Sequence, residues 1–179
     1  MIDIDPIIRK ANSEDIPAVA EIYSLIHQKE ARGEVAIGWN PKTYPIRETA
    51  EKALLDNTLF VMTIDDEVVA SAVINHIQLD AYSLPQWKYP APPDKVGVIH
   101  TLVVNPNYTG RGLGKLFVAF FENYCRLEGC EVVRLDTQEK NIGPLNMYPK
   151  LGYHLAGIFN TTFQDLPSEI RLALFEKKL

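Results

Sequence analysis

A glycine-rich turn is the part of this sequence whose residue types point most directly to chemistry. Gly110, Gly112 and Gly114 occupy alternate positions, with Arg111 between the first two and Lys115 after the third. When such a turn runs into the N-terminus of a helix, several backbone N–H groups stay unpaired at the positive end of the helix dipole. The pattern therefore predicts a binding site for a phosphate or pyrophosphate group.

The spacing of the glycines excludes the two most common nucleotide-binding motifs. The third glycine of a G-x-G-x-x-G fingerprint would fall at Lys115. A P-loop would need a glycine at Thr109 and a serine or threonine at Leu116. Taken alone, the glycines leave a second possibility open, which is a tight strand-to-helix turn that binds no ligand.

A strand before the turn and a helix after it must position these glycines. Residues 96–104 are mostly β-branched or apolar, as in an interior strand, and the Asn-Pro-Asn segment 105–107 ends that strand. After the turn, apolar residues recur at helical spacing, which predicts a helix with one side against a sheet. This apolar stripe consists of Leu113, Leu116, Phe117, Phe120, Tyr124 and Leu127.

The rest of the chain alternates between strand-like and helix-like patterns. Strands are predicted at 6–11, 59–64, 68–77, 131–137, 153–159 and 170–176, and helices at 14–30, 46–56 and from 141 to just before 152. Segments 31–45 and 79–95 are rich in proline and aromatic residues and are predicted to be irregular. Loops of such length in a compact domain are more often functional than idle.

The glycine turn resembles the signature [QR]-x-x-G-x-[GA] of the GNAT superfamily of acyl-CoA-dependent N-acetyltransferases. In that register the turn reads Thr-Gly-Arg-Gly-Leu-Gly from position 109, after the Val-Asn-Pro segment 104–106. Thr109 departs from the family pattern, which usually has arginine or glutamine there. The backbone cradle does not depend on that side chain, because the turn binds through main-chain N–H groups.

A second segment, at 141–153, resembles the family's N-x-x-A-x-x-x-Y-x-x-x-G-[FY] pattern. Asn141, Tyr148, Gly152 and Tyr153 fall at the family's spacing, and Pro144 replaces the usual alanine. The two motifs occur in the family's order, separated by a predicted helix and strand. The chain is therefore identified as a member of this superfamily.

The resemblance implies a fold and a reaction. The fold would be α/β (α+β type), a single domain over 1–179 with a mixed, mostly antiparallel seven-stranded sheet flanked by helices in the order βααβββαβαββ. The enzyme would move an acetyl group from acetyl-CoA, with no metal, to an amine on a small molecule or a protein. A non-catalytic acyl-CoA-binding or regulatory module on the same fold is the alternative, and a larger acyl donor also stays open.

The resemblance also implies a set of donor-binding residues. The pantetheine arm would lie along the strand 96–104, with a backbone N–H at Leu102 or Val103 facing the thioester carbonyl. The pyrophosphate would lie on the glycine turn, and the Asn141 amide would hydrogen-bond the arm. A solvated basic turn is the alternative for the turn's two charged side chains. The implied set is Leu102, Val103, Val104, Thr109, Gly110, Arg111, Gly112, Leu113, Gly114, Lys115, Asn141 and Tyr148.

Two residues are implied to move protons. Tyr148 would be the general acid, because a phenol with a pKa near 10 is reasonably matched to a CoA thiolate. His100 stands where the family often has a glutamate, and an imidazole can accept the amine proton at neutral pH. For each residue, a structural role is the alternative. His76, Glu30 and Glu34 are weaker candidates for the base.

The acceptor site is predicted from aromatic residues in the two irregular segments. Trp39 and Tyr44 lie in the first segment, and Tyr82 and Trp87 lie in the second. Aromatic walls suit the apolar body of a small amine and can bind a cation on their faces. Packing of the same rings over the core is the alternative, and nothing in the sequence identifies the acceptor.

Composition limits the other functional classes. The 179 residues carry a net charge of −5, which disfavours binding to nucleic acid or to an anionic membrane. No apolar run approaches about 20 residues and no basic-then-apolar leader opens the chain, so a cytoplasmic protein is expected. Cys125 and Cys130 fit no metal-site or disulfide pattern. The oligomeric state stays open, with a homodimer as one possibility.

Overall fold

The computed structural model describes residues 6–179, which form a seven-stranded sheet with helices on both faces. Residues 1–5, on which the expectation of no leader rests, lie outside the described part. The strands are β1 (Ile7–Lys10), β2 (Leu59–Ile64), β3 (Glu67–Asn75), β4 (Val96–Val104), β5 (Val132–Gln138), β6 (His154–Thr161) and β7 (Ile170–Lys178). The helices are α1 (Ile16–Ala31), α2 (Arg47–Leu55), α3 (Leu113–Leu127) and α4 (Ile142–Lys150).

The sheet has the spatial order β1-β2-β3-β4-β5-β7-β6, and its only parallel pair within residues 6–179 is β4 with β5. Along the chain the elements follow the predicted order βααβββαβαββ. The predicted fold, a mixed and mostly antiparallel sheet flanked by helices, is therefore confirmed. The irregular segment 79–95 contains two short 3-10 turns, at Asp80–Ser83 and Pro93–Lys95.

The central pair of strands separates partway along its length. β4 pairs with β5 from Val96 to Val98, where Val98 lies opposite Arg134, and no pairing continues beyond that point. β4 also bulges there, because Thr101 has a left-handed backbone with a φ of 51° and the register with β3 shifts. Since both strands continue past the last pair, a cleft opens between their C-terminal ends.

Helices cover the two faces of the sheet. α1 and α2 pack on one face through a core that includes Val19, Ile22 and Tyr23. On the other face, α3 and α4 pack through Phe117, Phe121 and other residues of the largest apolar cluster. Within residues 6–179, no helix is both long and apolar enough to cross a membrane.

The buried face of α3 differs from the predicted stripe. Leu116 is 46% exposed and Leu127 is 87% exposed, whereas Val118, Phe121 and Cys125 are buried beside Leu113 and Phe117. Gly97 of β4 explains the rotation, because a Cβ at that position would lie 2.3 Å from the Cys125 sulfur. The helix comes so close to the strand at Gly97 that a small side chain must fill the contact.

The loop between β3 and β4 is fastened to the sheet by buried charges. The backbone N–H groups of Lys88 and Tyr89 donate to the Glu176 carboxylate at 2.6 and 3.1 Å. Arg134 of β5 stacks on Trp87, 3.9 Å from the ring centroid, and donates to the Tyr89 carbonyl at 3.2 Å. The loop therefore has a fixed position against β5 and β7.

Candidate active site

A cavity of about 580 Å³ occupies the cleft where β4 and β5 separate. Side chains from β4, β5, the start of α4, the segment 37–44 and the loop after β6 line it. A cavity with apolar walls and a few polar groups is the usual form of a small-molecule site. The lining residues that matter most for chemistry are Trp39, Tyr44, His100, Asp136, Asn141 and Tyr148.

The glycine turn has the geometry expected of an anion cradle. Gly110 and Gly112 adopt left-handed φ values of 80° and 78°, and α3 begins directly after Gly112. The N–H groups of residues 110–114 donate to no acceptor among residues 6–179. Arg111 and Lys115 are exposed, and the Arg111 guanidinium lies 4.8 Å from the Tyr108 ring centroid. The turn can therefore hold an anion through five amides and two nearby cations.

The position where the family usually has arginine or glutamine makes a local contact instead. The Thr109 hydroxyl donates to the Pro106 carbonyl at 2.9 Å and stabilises the turn. Along the cleft, Leu102 lines the cavity, whereas Val103 packs into the core on the α1 side. Val104 pairs with β3 at Ala70. The edge of β4 facing β5 beyond Val98 has no strand partner among the described residues, so it can pair with amide groups of a pantetheine arm.

Tyr148 lies at the inner wall of the cavity. It is buried, and its ring packs against Tyr153 and Phe175 with centroids 5.8 and 5.5 Å away. The residue lines the cavity, and its hydroxyl makes no hydrogen bond among residues 6–179. Burial, and then the nearby charge of Asp136, raise the pKa of Tyr148 above its ordinary value. The phenol therefore keeps its proton at neutral pH and can donate it.

Asn141 precedes α4 and also lines the cavity. Its side chain makes no capping hydrogen bond to the helix. The amide group is therefore available to a ligand. Pro144, which replaces the family's usual alanine, lines the same wall.

His100 lines the cavity but is engaged in the sheet. Its Nε2 lies 3.0 Å from the Asn75 Oδ1, which also accepts the Ile77 N–H at 2.8 Å. Burial lowers the pKa of His100, and a hydrogen bond with the Ile77 backbone partly opposes this effect. The imidazole is therefore neutral at pH 7, with Nε2 held by Asn75.

Asp136 is a cavity residue that the sequence reasoning missed. It lies on β5 beyond the last pair with β4, and the Tyr82 hydroxyl donates to its Oδ2 at 2.8 Å. Burial raises the pKa of Asp136 from its ordinary 3.8 to about 6, an effect that the Tyr82 hydrogen bond only partly offsets. The sequence did contain a signal, which is an aspartate within a predicted apolar core strand. Because a buried carboxylate rarely lacks a partner, such a residue is a candidate for a functional role.

The four aromatic residues predicted for the acceptor site divide into two pairs. Trp39 and Tyr44 line the cavity edge to face, 6.0 Å apart, and the Tyr44 hydroxyl is hydrogen-bonded to Thr101. Tyr82 and Trp87 do not line it; they pack together, 5.8 Å apart, in a separate apolar cluster with residues of β4 and β7. Because the polar residues of β5 fasten this loop, Tyr82 reaches the cavity only through its bond to Asp136.

The weaker base candidates also lie outside the cavity wall. His76 Nδ1 lies 2.8 Å from the Val96 carbonyl oxygen. Glu30 accepts the backbone N–H groups of Ile37 and Gly38 and so shapes the segment that carries Trp39. Neither residue, nor Glu34, lines the cleft.

Three features of this site fit a transferase that uses an acyl-CoA donor. They are an anion cradle at a helix N-terminus, an unpaired strand edge and a phenol in the adjoining cleft. The family comparison agrees with this class. The chain belongs to the acetyltransferase (GNAT) family, whose sequence model matches residues 16–153. Acetyl-CoA is the acyl donor of this family, and the residues lining the cleft fit it.

Individual relatives support the same class. The chain is similar to the glucosamine 6-phosphate N-acetyltransferase of Trypanosoma brucei brucei, with 43% identity over 58 residues. That match covers 32% of this chain and spans only 37% of the relative's length.

Solved structures with the same fold cover nearly the whole chain. A GNAT-family acetyltransferase from Streptococcus agalactiae superposes with a TM-score of 0.79 at 19% identity, covering 97% of this chain and 95% of that one. The yncA protein of Salmonella typhimurium, solved with its cofactor acetyl-CoA, gives a TM-score of 0.70 at 18% identity, covering 98% and 94%. At these identities the structures show the fold. The predicted family and enzyme class are confirmed.

Proposed function

We propose that one domain over residues 1–179 transfers an acetyl group from acetyl-CoA to the amino group of a small molecule or a peptide. The observation that carries the proposal is the position of Tyr148, a buried tyrosine that lines the cleft and whose hydroxyl makes no hydrogen bond among residues 6–179. That cleft lies at the end of β4, and the anion cradle follows β4 directly. One continuous segment can therefore hold both the thioester end and the pyrophosphate of a CoA donor.

The chain binds the donor mainly through its backbone. The five amides of residues 110–114 and the side chains of Arg111 and Lys115 hold the pyrophosphate. The free edge of β4 at Leu102 and the Asn141 amide bind the pantetheine arm. When bound, acetyl-CoA supplies an activated thioester, and these contacts fix its carbonyl beside the acceptor.

Tyr148 acts as the general acid. Its raised pKa keeps the proton on the phenol at neutral pH, so a proton is in place for the sulfur when the C–S bond breaks. Two other groups on the cavity wall, His100 and Asp136, can accept the amine proton. Trp39 and Tyr44 also line the cavity and exclude water from the acceptor.

The test is the release of free thiol from acetyl-CoA in the presence of an amine panel. The panel contains amino acids, polyamines, lysine peptides, and glucosamine 6-phosphate, the acceptor named for the trypanosome relative. Tyr148→Phe should slow thiol release by about a hundredfold or more. Its affinity for acetyl-CoA in calorimetry should stay unchanged.

Tyr153→Phe is the matched control, because Tyr153 packs beside Tyr148 but does not line the cavity. Its turnover should remain close to that of the wild type. Wild-type turnover in Tyr148→Phe would contradict the acid role. Binding of acetyl-CoA without thiol release for any acceptor would instead favour a non-catalytic acyl-CoA-binding module.

A further inference from the structure

The charge of the cavity wall is the first clue to the acceptor. Among residues 6–179, Asp136 and Asp165 are the charged side chains that line the cavity, and no lysine or arginine does. Arg134 lies on the same face of β5, but its guanidinium donates to Gln78 and Tyr89 and is buried near Glu176. The wall therefore has a negative charge that no cation of the wall neutralises.

Two side-chain oxygens on the β5 wall are acceptors without a partner among the described residues. Asp136 uses Oδ2 to accept the Tyr82 hydroxyl, while its Oδ1 has no partner in the described part of the chain. Gln138 follows on the same face of β5, about 7 Å along the strand. Its Oε1 is buried without a partner among residues 6–179. A ligand rich in N–H donors would satisfy both oxygens.

Aromatic rings are a further feature of the cavity wall. Trp39, Tyr44 and Phe163 also line the cavity. Aromatic faces attract cations as well as apolar groups. A phosphate or carboxylate in this space would meet two carboxylates and no fixed positive side chain, so such a group is disfavoured.

We propose that the acceptor is a cationic amine without a phosphate or carboxylate group, and that Asp136 binds its ammonium nitrogen and takes a proton from it. This inference rests on the proposed acetyl transfer. The ammonium nitrogen loses two protons on becoming an amide. Asp136 takes the first, which frees the lone pair to form the N–C bond while the C–S bond breaks. The departing sulfur takes a proton from Tyr148, the second nitrogen proton restores the phenol, and Asp136 releases the first proton to solvent.

Asp136 is better placed for this step than His100. The His100 Nε2 is held by Asn75, whereas the Asp136 Oδ1 is unpartnered. A carboxylate also attracts the ammonium ion before it accepts a proton, and a neutral imidazole does not. The groups around Asp136 are Tyr82, Tyr148, Tyr44, His100 and Asp165, with Arg134 behind them on the same strand.

The pH dependence follows from these neighbours. Asp136 must be ionised to bind the ammonium ion, so kcat/KM should fall below a pH of about 6. Tyr82 is a positioning residue, because its hydrogen bond favours the ionised carboxylate. In Tyr82→Phe, the acidic limb of the pH profile should therefore move to higher pH.

The experiment compares amine pairs that differ by one acidic group. Phenylethylamine is compared with phenylalanine, and glucosamine with glucosamine 6-phosphate, by calorimetry in the presence of CoA and by thiol release. The amine without the acidic group should bind more than about tenfold tighter in each pair. Equal or reversed preference, or no binding by either simple amine, would overturn the inference. Thiol release from an acidic acceptor would do so while leaving acetyl transfer intact.

Variants then test Asp136 itself. Asp136→Asn should lose the acidic limb and about a hundredfold or more in kcat/KM, with unchanged affinity for acetyl-CoA. Tyr89→Phe is the control for Tyr82→Phe, since Tyr89 lies in the same loop and does not line the cavity. An acidic limb that survives in Asp136→Asn and disappears in His100→Ala would transfer the proton-accepting role to His100. Loss of acetyl-CoA binding in the wild type would refute the proposed function instead.

Discussion

Replacement of Asp136 by asparagine should stabilise the folded protein in a pH-dependent way. The Asp136 carboxylate lies in the cavity wall, and burial raises its pKa from 3.8 to about 6. A group whose folded pKa exceeds its unfolded pKa costs stability when it ionises, because the folded state binds the proton more tightly. This cost is absent below a pH of about 3.8 and complete above about 6. Asparagine has no such cost, and its amide oxygen can still accept the Tyr82 hydroxyl.

The magnitude follows from the size of the pKa shift. A rise of about two units corresponds to about 3 kcal/mol of unfolding free energy at pH 8. For a domain of this length, that difference should raise the melting temperature by roughly 6–12 °C. The wild type and the variant should have the same stability near pH 3.5, and their melting curves should separate as the pH rises.

Thermal unfolding followed by circular dichroism between pH 3.5 and 8 would measure this difference. Asp94→Asn is the matched control, because Asp94 is exposed and its replacement removes the same charge. The control should show a small difference at every pH. If Asp136→Asn were equally or less stable than the wild type at pH 8, Asp136 would not be a carboxylate held at a cost in the cavity wall.

Three further results are expected. Gly112→Ala should cost about 1 kcal/mol of strain at the left-handed turn, and weaker acetyl-CoA binding in calorimetry should accompany it; an unchanged affinity would refute the cradle. Gly97→Ala should destabilise the fold by about 1–3 kcal/mol in urea unfolding, because its Cβ meets the Cys125 sulfur, and Cys125→Ala in the same chain should recover part of that loss. Arg111→Ala and Lys115→Ala should weaken acetyl-CoA binding more at low than at high ionic strength; a loss independent of salt would mean that their charges do not contact the pyrophosphate.

Local patterns predicted most of the fold. Alternation, helical spacing and turn residues depend on near neighbours in the chain, so the order of strands and helices followed from the sequence. The buried face of α3, however, did not follow from the sequence pattern. Both Leu116 and Val118 are compatible with a helical stripe, and the close approach at Gly97 selects between them. That contact joins residues from a strand and a helix, and the periodicity within one element cannot predict a contact between two elements.

The aromatic residues of the loop between β3 and β4 show the same limit. Tyr82 and Trp87 have the composition of a binding wall, but Arg134 and Glu176 hold their loop against β5 and β7, outside the cavity lining. No spacing rule links Trp87 to Arg134, since the contact joins a loop to a distant strand. The sequence therefore predicted a place for aromatic rings without indicating which of them would face the cavity.

The sequence by itself predicted the proposed donor side of the site. The glycine turn, Asn141 and Tyr148 belong to two short segments. In each segment the spacing along the sequence determines the relative positions of the residues, because a turn or a helix positions its own residues. Only the tertiary structure indicated the proposed acceptor side. In the sequence, Asp136 is an acidic residue in a core strand with nothing to mark it as functional. In the fold, the separation of β4 from β5 exposes it to the cavity, and the Tyr82 hydroxyl hydrogen-bonds to it. Its environment is built from residues far apart in the chain, so its charge and chemistry arise from the folded protein.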